Sequence, residues 1–303
     1  MIVKQFYHLC ADGAVSKGFI LNEKDYRAAM NIIAVCAANS EVIVVAFCLE
    51  DTHPHFLLFG ALAGCVKFKQ MLETTYRHYA ASTRGGESSS VIDLEIFPIG
   101  NDMNYLRNVA VYVINQPTKD RKRIMPYDYP WGSGPLYFRS KRAVPVWLCD
   151  GDGNMSAPVP FGKLHSLNRR EMLHTRKYKV PDNWLVADGI LLPSNYVDVA
   201  LFESIYQTHN SFRVFMAGSR AKDDEIRSKM AEERGIQMED LEARQICGEE
   251  CNALYGTRNT RLLDSRCRLS LAQVLRRKYR LTYRQISALV HLPETEVRRS
   301  VAS

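Results

Sequence analysis

The sequence predicts an α+β protein built on one antiparallel sheet with helices on one face, followed by a mostly helical region and a small helical tail. Strand-like alternation and helix-like spacing mark seven elements in succession across residues 1–116. Hydrophobic residues make up 46% of the chain and charged residues 24%, the balance of a chain that buries a real core. No run of about 18 apolar residues occurs, so no membrane span is expected.

The elements follow in order. Residues 2–10 read as a strand. Asn22 opens a helix in which Tyr26, Ala29, Met30, Ile33 and Ala37 recur at helical spacing, and Asn39-Ser40 ends it. Residues 41–49 are β-rich, Glu50-Asp51-Thr52 turns the chain, and His53 to Phe59 forms the next strand. A long amphipathic helix spans about Cys65 to Ala81, and the Gly- and Ser-rich stretch 82–90 is a loop. Residues 91–99 alternate Ile92, Leu94 and Ile96 against Asp93 and Glu95 as a fourth strand. Asn101-Asp102 caps a helix running to about Gln116, where Pro117 stops it. This order resembles the split βαβ (ferredoxin- or RRM-like) arrangement. Short elements are expected over 140–195 and helices over 196–256. No internal repeat is present. The motifs divide the chain into 1–140, 141–260 and 261–303.

The net charge of +7 is unevenly placed. Residues 261–303 hold 10 Lys/Arg and 3 Asp/Glu, and residues 117–179 hold 13 against 5, whereas residues 180–260 hold 8 against 14. Two basic zones flank an acidic one. Basic zones suit a polyanion, because neutralising phosphates releases counterions, although a solvated surface reads the same way. The 8 cysteines contain no CxxC pair, and the N-terminus lacks a secretory pattern, so a reduced cytosolic interior is expected.

The stretch Asp51-Thr-His-Pro-His-Phe-Leu-Leu-Phe59 carries two histidines at strand spacing. His53 and His55 therefore face the same way and can converge on one ion. Two half-exposed strand histidines would look identical. Tyr112-Val-Ile-Asn-Gln116 places Tyr112 and Gln116 on one helix face, one turn apart. The Gln116 amide oxygen suits a hard divalent ion, and Tyr112 would then lie beside a metal-bound phosphate. A core tyrosine and a helix-end glutamine are the plainer alternative.

These motifs taken together, His53-Pro-His55 before Leu57-Leu-Phe, then Tyr112-Val-Ile-Asn-Gln-Pro117, then Tyr129-Pro-Trp-Gly-Ser133, resemble the single-tyrosine HUH transposases, and more narrowly the REP-associated tyrosine transposases. The resemblance covers about residues 1–140. It implies that His53, His55 and Gln116 hold Mg²⁺ or Mn²⁺. It also implies that Tyr112 attacks a phosphodiester of hairpin-forming single-stranded DNA, giving a 5′-phosphotyrosine and a free 3′-hydroxyl. A phenol is a good enough leaving group for the link to be reversed, so strands rejoin without a nucleotide cofactor. A bacterial cytoplasm near the nucleoid is the implied location, and a homodimer is compatible with it. Asp51-Thr-His53 stands where the family has Pro-Asn-His, and Pro54 stands where it has an aliphatic residue.

Two further segments point to DNA. Lys119, Arg121, Lys122 and Arg123 follow directly after the tyrosine helix, with Tyr127, Tyr129, Trp131 and Tyr137 interleaved nearby, the composition of a single-strand stacking platform or of a packed turn. In the tail, Leu271, Val274 and Leu275, then Ile286, Leu289 and Val290, then Val297 and Val301 mark three apolar faces. Thr282 caps one helix, and His291-Leu-Pro293 turns the chain before Glu294 opens another, which looks like a helix-turn-helix able to bind duplex DNA. Arg284, Thr295, Arg298 and Arg299 are its candidate DNA contacts. A non-catalytic, domesticated DNA-binding protein is the alternative to the enzyme. An RNA-binding sheet and a two-histidine phosphoesterase fit less well, since neither sheet aromatics nor a second HxT/S motif is found.

Overall fold

The structure is a computed structural model that describes residues 3–11, 18–84, 92–119, 124–139, 157–235 and 238–302. It is α+β, and it divides into two compact units, Met1–Ile226 and Arg227–Ser303.

In the first unit the elements run β1 (Lys4–Ala11), α1 (Glu23–Asn39), β2 (Ile43–Leu49), β3 (Pro54–Ala61), α2 (Leu62–Thr83), β4 (Leu94–Pro98) and α3 (Met103–Ile114). The four strands form one sheet in the order β2-β3-β1-β4, with every neighbour antiparallel. Alternation along β3 sorts its side chains. Phe56 turns to α2 and meets the Phe68 ring at 5.2 Å, whereas His55 turns the other way and meets Tyr112 of α3. Pro54 is the first residue of β3, opposite Leu49, where a missing N–H interrupts no ladder.

Helix α3 ends earlier than the sequence predicts. Asn115 is its C-cap, and Gln116–Lys119 forms a separate short helix, α4. Pro117 has no N–H to return to the preceding turn, so the break falls ahead of it rather than at it. Asp102 caps the start of α3 by accepting from the Asn104 and Tyr105 amides at 2.9 and 3.1 Å.

The free edge of β2 is covered twice. Leu49 N donates to Trp131 O at 2.8 Å and Ser133 N to Phe47 O at 2.9 Å, while Asp198 N donates to Val44 O at 2.9 Å. An uncovered edge would invite pairing with another chain. Gly134 is required in this strap, because a Cβ there would come within 2.3 Å of Pro126 O. A small sheet of β5 (Val159–Pro160), β6 (Leu185–Ala187) and β7 (Ile190–Leu191) is tied to α1 by Asn31, which donates to Gly189 O and accepts from Leu191 N. The short helix α5 (Ser166–Leu173) and then α6 (Val199–Tyr206) and α7 (His209–Arg234) complete the run of short elements followed by helices that the sequence predicts.

The second unit holds α8 (Asp240–Tyr255), α9 (Ser265–Tyr279), α10 (Tyr283–Val290) and α11 (Glu294–Ala302). Leu271, Leu275, Ile286, Val290 and Val297 are fully buried at its centre. Thr282 caps α10 by accepting from Gln285 N, and His291 closes it in the left-handed region. Among the described residues no helix is long and apolar enough to cross a membrane, and the seven described cysteines are all free.

Candidate functional site

The site lies on the His55 face of the sheet, beneath α3. Register explains who meets whom. Cys10 pairs with His55 and His8 with Leu57 across β1 and β3, so His8, Cys10 and His55 share one face. His53, one residue before β3, turns to the same side, and its ring centroid is 4.6 Å from that of His55. The same-face reading of the two histidines thus holds in the structure.

Glu50, in the turn between β2 and β3, completes the group. Its Oε2 is 3.9 Å from Nε2 of both His53 and His55. Glu50, His53 and His55 each offer a ligand atom, all within 4.8 Å of one another, and His8, Cys10 and His55 do the same. The two groups differ chemically. Cys10 brings a soft sulfur and all three of its group are buried, whereas Glu50 brings a hard carboxylate. Glu50 and His53 side chains are 18% and 19% exposed, so an ion held there is reachable by a substrate oxygen.

His55 is shared by its two nitrogens. Nε2 faces Glu50, and Nδ1 lies 3.3 Å from His8 Nε2. A His55 that keeps Nε2 unprotonated for a metal carries its proton on Nδ1, where His8 Nε2 accepts it. His8 therefore fixes the tautomer and the ring angle of His55.

Tyr112 stands edge-on to both imidazoles, its ring centroid 5.6 Å from His55 and 5.7 Å from His8. It is 4% exposed. Helix α3 is held over the sheet from several sides. Tyr206 of α6 donates to Arg107 O at 2.6 Å, and Asn115 donates to Ser219 Oγ of α7 at 2.7 Å. Lys119 Nζ lies 3.7 Å over the Tyr112 ring and 2.9 Å from Asp223. That ammonium is directed into the fold by its ion pair and by the ring face, not outward toward a departing strand.

Gln116 is also held locally. Its Nε2 donates to Tyr112 O at 2.6 Å, which closes the end of α3. The carboxylate beside the paired histidines is that of Glu50. Arg121, Lys122 and Arg123 lie outside the described residues. Of the nearby aromatics, Tyr129 donates to Leu49 O at 2.5 Å, Tyr137 donates to Val45 O at 2.7 Å, and Trp131 stacks on Tyr26 at 4.8 Å, so all three brace the β2 edge. Tyr127 remains 48% exposed.

In the second unit Arg284 and Arg299 are exposed and Thr295 is half-buried. Arg298 is 9% exposed, paired with Glu294 at 2.9 Å and stacked at 4.3 Å on the Tyr283 ring. An i,i+4 ion pair on a ring face turns that guanidinium inward.

His8 and Glu50 escaped the sequence reading. Glu50 reads as a turn residue, and only its place three and five residues ahead of the histidines marks it. His8 becomes visible only once the β1–β3 register is known. Compared with protein-family models, with curated proteins and with solved structures, the chain gives no significant match to any of the three.

Proposed function

We propose that this chain is a metal-dependent transferase of single-stranded DNA, of the HUH single-tyrosine type, that cleaves and rejoins hairpin-forming strands through Tyr112. The observation that carries the reading is the meeting of one phenol with the His55 and His8 imidazoles on one sheet face, at ring-centroid distances of 5.6 and 5.7 Å. The β-α-β-β-α-β order with the sheet order β2-β3-β1-β4 supports a split βαβ domain beneath the site. The pair α10 and α11, joined by His291-Leu292-Pro293, supports a helix-turn-helix that engages duplex or hairpin-stem DNA.

The donor set fits a hard divalent ion, since one carboxylate and two imidazoles converge at a partly open position. Glu50, His53 and His55 would hold Mg²⁺ or Mn²⁺, which polarises the scissile phosphate as a Lewis acid when bound. The protein's own groups do the rest. Helix α3 presents Tyr112, whose oxygen bonds to phosphorus as the phenol proton is lost. The P–O3′ bond breaks, and the departing 3′-oxygen takes up a proton. His8 holds His55 in the tautomer the site needs.

A second reading, a non-catalytic DNA-binding protein on the same fold, is favoured by one observation. Tyr112 is 4% exposed, with Lys119 packed over its ring, so a phosphate reaches it only if α4 shifts. A labelled single-stranded hairpin incubated with Mn²⁺ separates the two. The transferase reading requires a covalent protein–DNA adduct that disappears in Tyr112→Phe and His55→Ala. DNA binding with no adduct in the unaltered chain leaves the second reading.

A further inference from the structure

The second unit contains a groove of about 770 Å³ between α8, α10 and the 258–261 segment, and its walls are strongly basic. Arg244, Arg258, Arg261 and Arg284 line it together with His291, against the single acid Asp240. Helix α11, the candidate recognition helix, contributes nothing to this lining.

Four guanidiniums facing one groove repel one another unless an anion lies among them. Among the described residues Arg244, Arg258 and Arg261 enter no salt bridge. His291 is held below its ordinary pKa by burial and by Arg261 and Arg268, so at neutral pH the arginines carry the charge. The groove also has an unexplained opening. Gly248 lies mid-helix in α8, where glycine costs about 1 kcal/mol relative to alanine. Packing does not demand it, because a Cβ there would meet Arg258 at an ordinary 3.8 Å. The missing side chain keeps the groove wall open.

We propose that this groove binds the phosphodiester backbone of duplex DNA, independently of base contacts by α11. Guanidinium forks match phosphate oxygens in pairs, and an open groove of this size takes a run of phosphates rather than a lone ion. Residues 227–303 hold 15 Lys/Arg against 10 Asp/Glu, and that surplus of 5 draws the duplex to this unit. The inference rests on the reading of the chain as a DNA-handling protein, but it is measured by duplex affinity and not by the Tyr112 adduct, so each can fail without the other.

The full chain is titrated by fluorescence anisotropy with a labelled 20-base-pair DNA duplex of mixed sequence, from about 50 to 200 mM salt. Arg258→Gln combined with Arg261→Gln is expected to weaken binding by about tenfold or more at low salt and to flatten the log–log salt slope by about 2. Gly248→Leu, which keeps every arginine but fills the groove, is expected to weaken binding as well while leaving thermal stability intact. Unchanged duplex affinity in both variants overturns the proposal. Equal displacement of the duplex by inorganic phosphate at micromolar concentration, or tighter binding of an RNA duplex of the same length, also overturns it.

Discussion

Glu50 and His55 show how much of this site depends on single groups. His55 is 2% exposed and has one nitrogen toward Glu50 and the other toward His8. A carboxylate at 3.9 Å from two imidazole nitrogens is at the distance that an ion would close. Replacing Glu50 by Gln removes the charge and keeps the shape. It is expected to weaken Mn²⁺ binding by about tenfold or more, read by calorimetry or by the paramagnetic broadening of histidine ring protons. Gln116→Ala, by contrast, loses a bond to Tyr112 O and is expected to leave Mn²⁺ affinity within about threefold, because the amide nitrogen is already committed to the helix end. The reverse pattern, with Gln116 decisive and Glu50 silent, would restore the ligand set that the sequence resemblance implies.

At the scale of elements, the segments and their order were legible because each rests on short-range physics. Alternation marks β3 and β4, the Asp102 cap marks α3, and Thr282 and His291 mark the two ends of α10. What was not legible depends on contacts between distant segments. The β1–β3 register brings His8 to His55, and α7 brings Asp223 to Lys119, and neither follows from local pattern. The same limit applies to Arg298, which reads as a recognition-helix contact. Its guanidinium pairs with Glu294 and covers the Tyr283 ring, with Arg276 also over that ring at 4.4 Å. Arg298→Ala removes the cation 2.9 Å from the Glu294 carboxylate, a group only 11% exposed. It is expected to cost the second unit about 3 kcal/mol in denaturant unfolding, while Arg299→Ala, at an exposed position, costs no more than about 0.5 kcal/mol. Loss of duplex affinity by Arg298→Ala with no loss of stability would return that residue to the DNA interface.

At the scale of the whole molecule, a histidine in each unit governs the response to mild acid. In the first unit His174 closes α5 at φ +51° and rests on the Tyr79 ring at 4.7 Å. Burial holds its pKa below the ordinary value of 6.5. The unfolded chain therefore takes up a proton that the folded chain refuses, and stability is fully present above about pH 6.5 and falls as pH drops toward the folded pKa. The acids with resolved shifts in the second unit behave in a lower window. Glu250 is held below 4.5 by hydrogen bonds from Lys278 and Tyr279, and Asp264 below 3.8 by the Cys267 amide, so their contributions persist until the pH falls through those values. His291 in the second unit is likewise held below 6.5, by burial and by Arg261 and Arg268, so mild acid weakens both units in the same window. His174→Gln removes the titrating group, and although the lost ring contact lowers stability at every pH, the slope of stability between pH 6.5 and 5 should become shallower. The comparison is made in chelator, so that metal release from His53 and His55 does not add to the slope. An unchanged slope in the variant would mean that His174 takes up its proton as readily in the fold as in the unfolded chain.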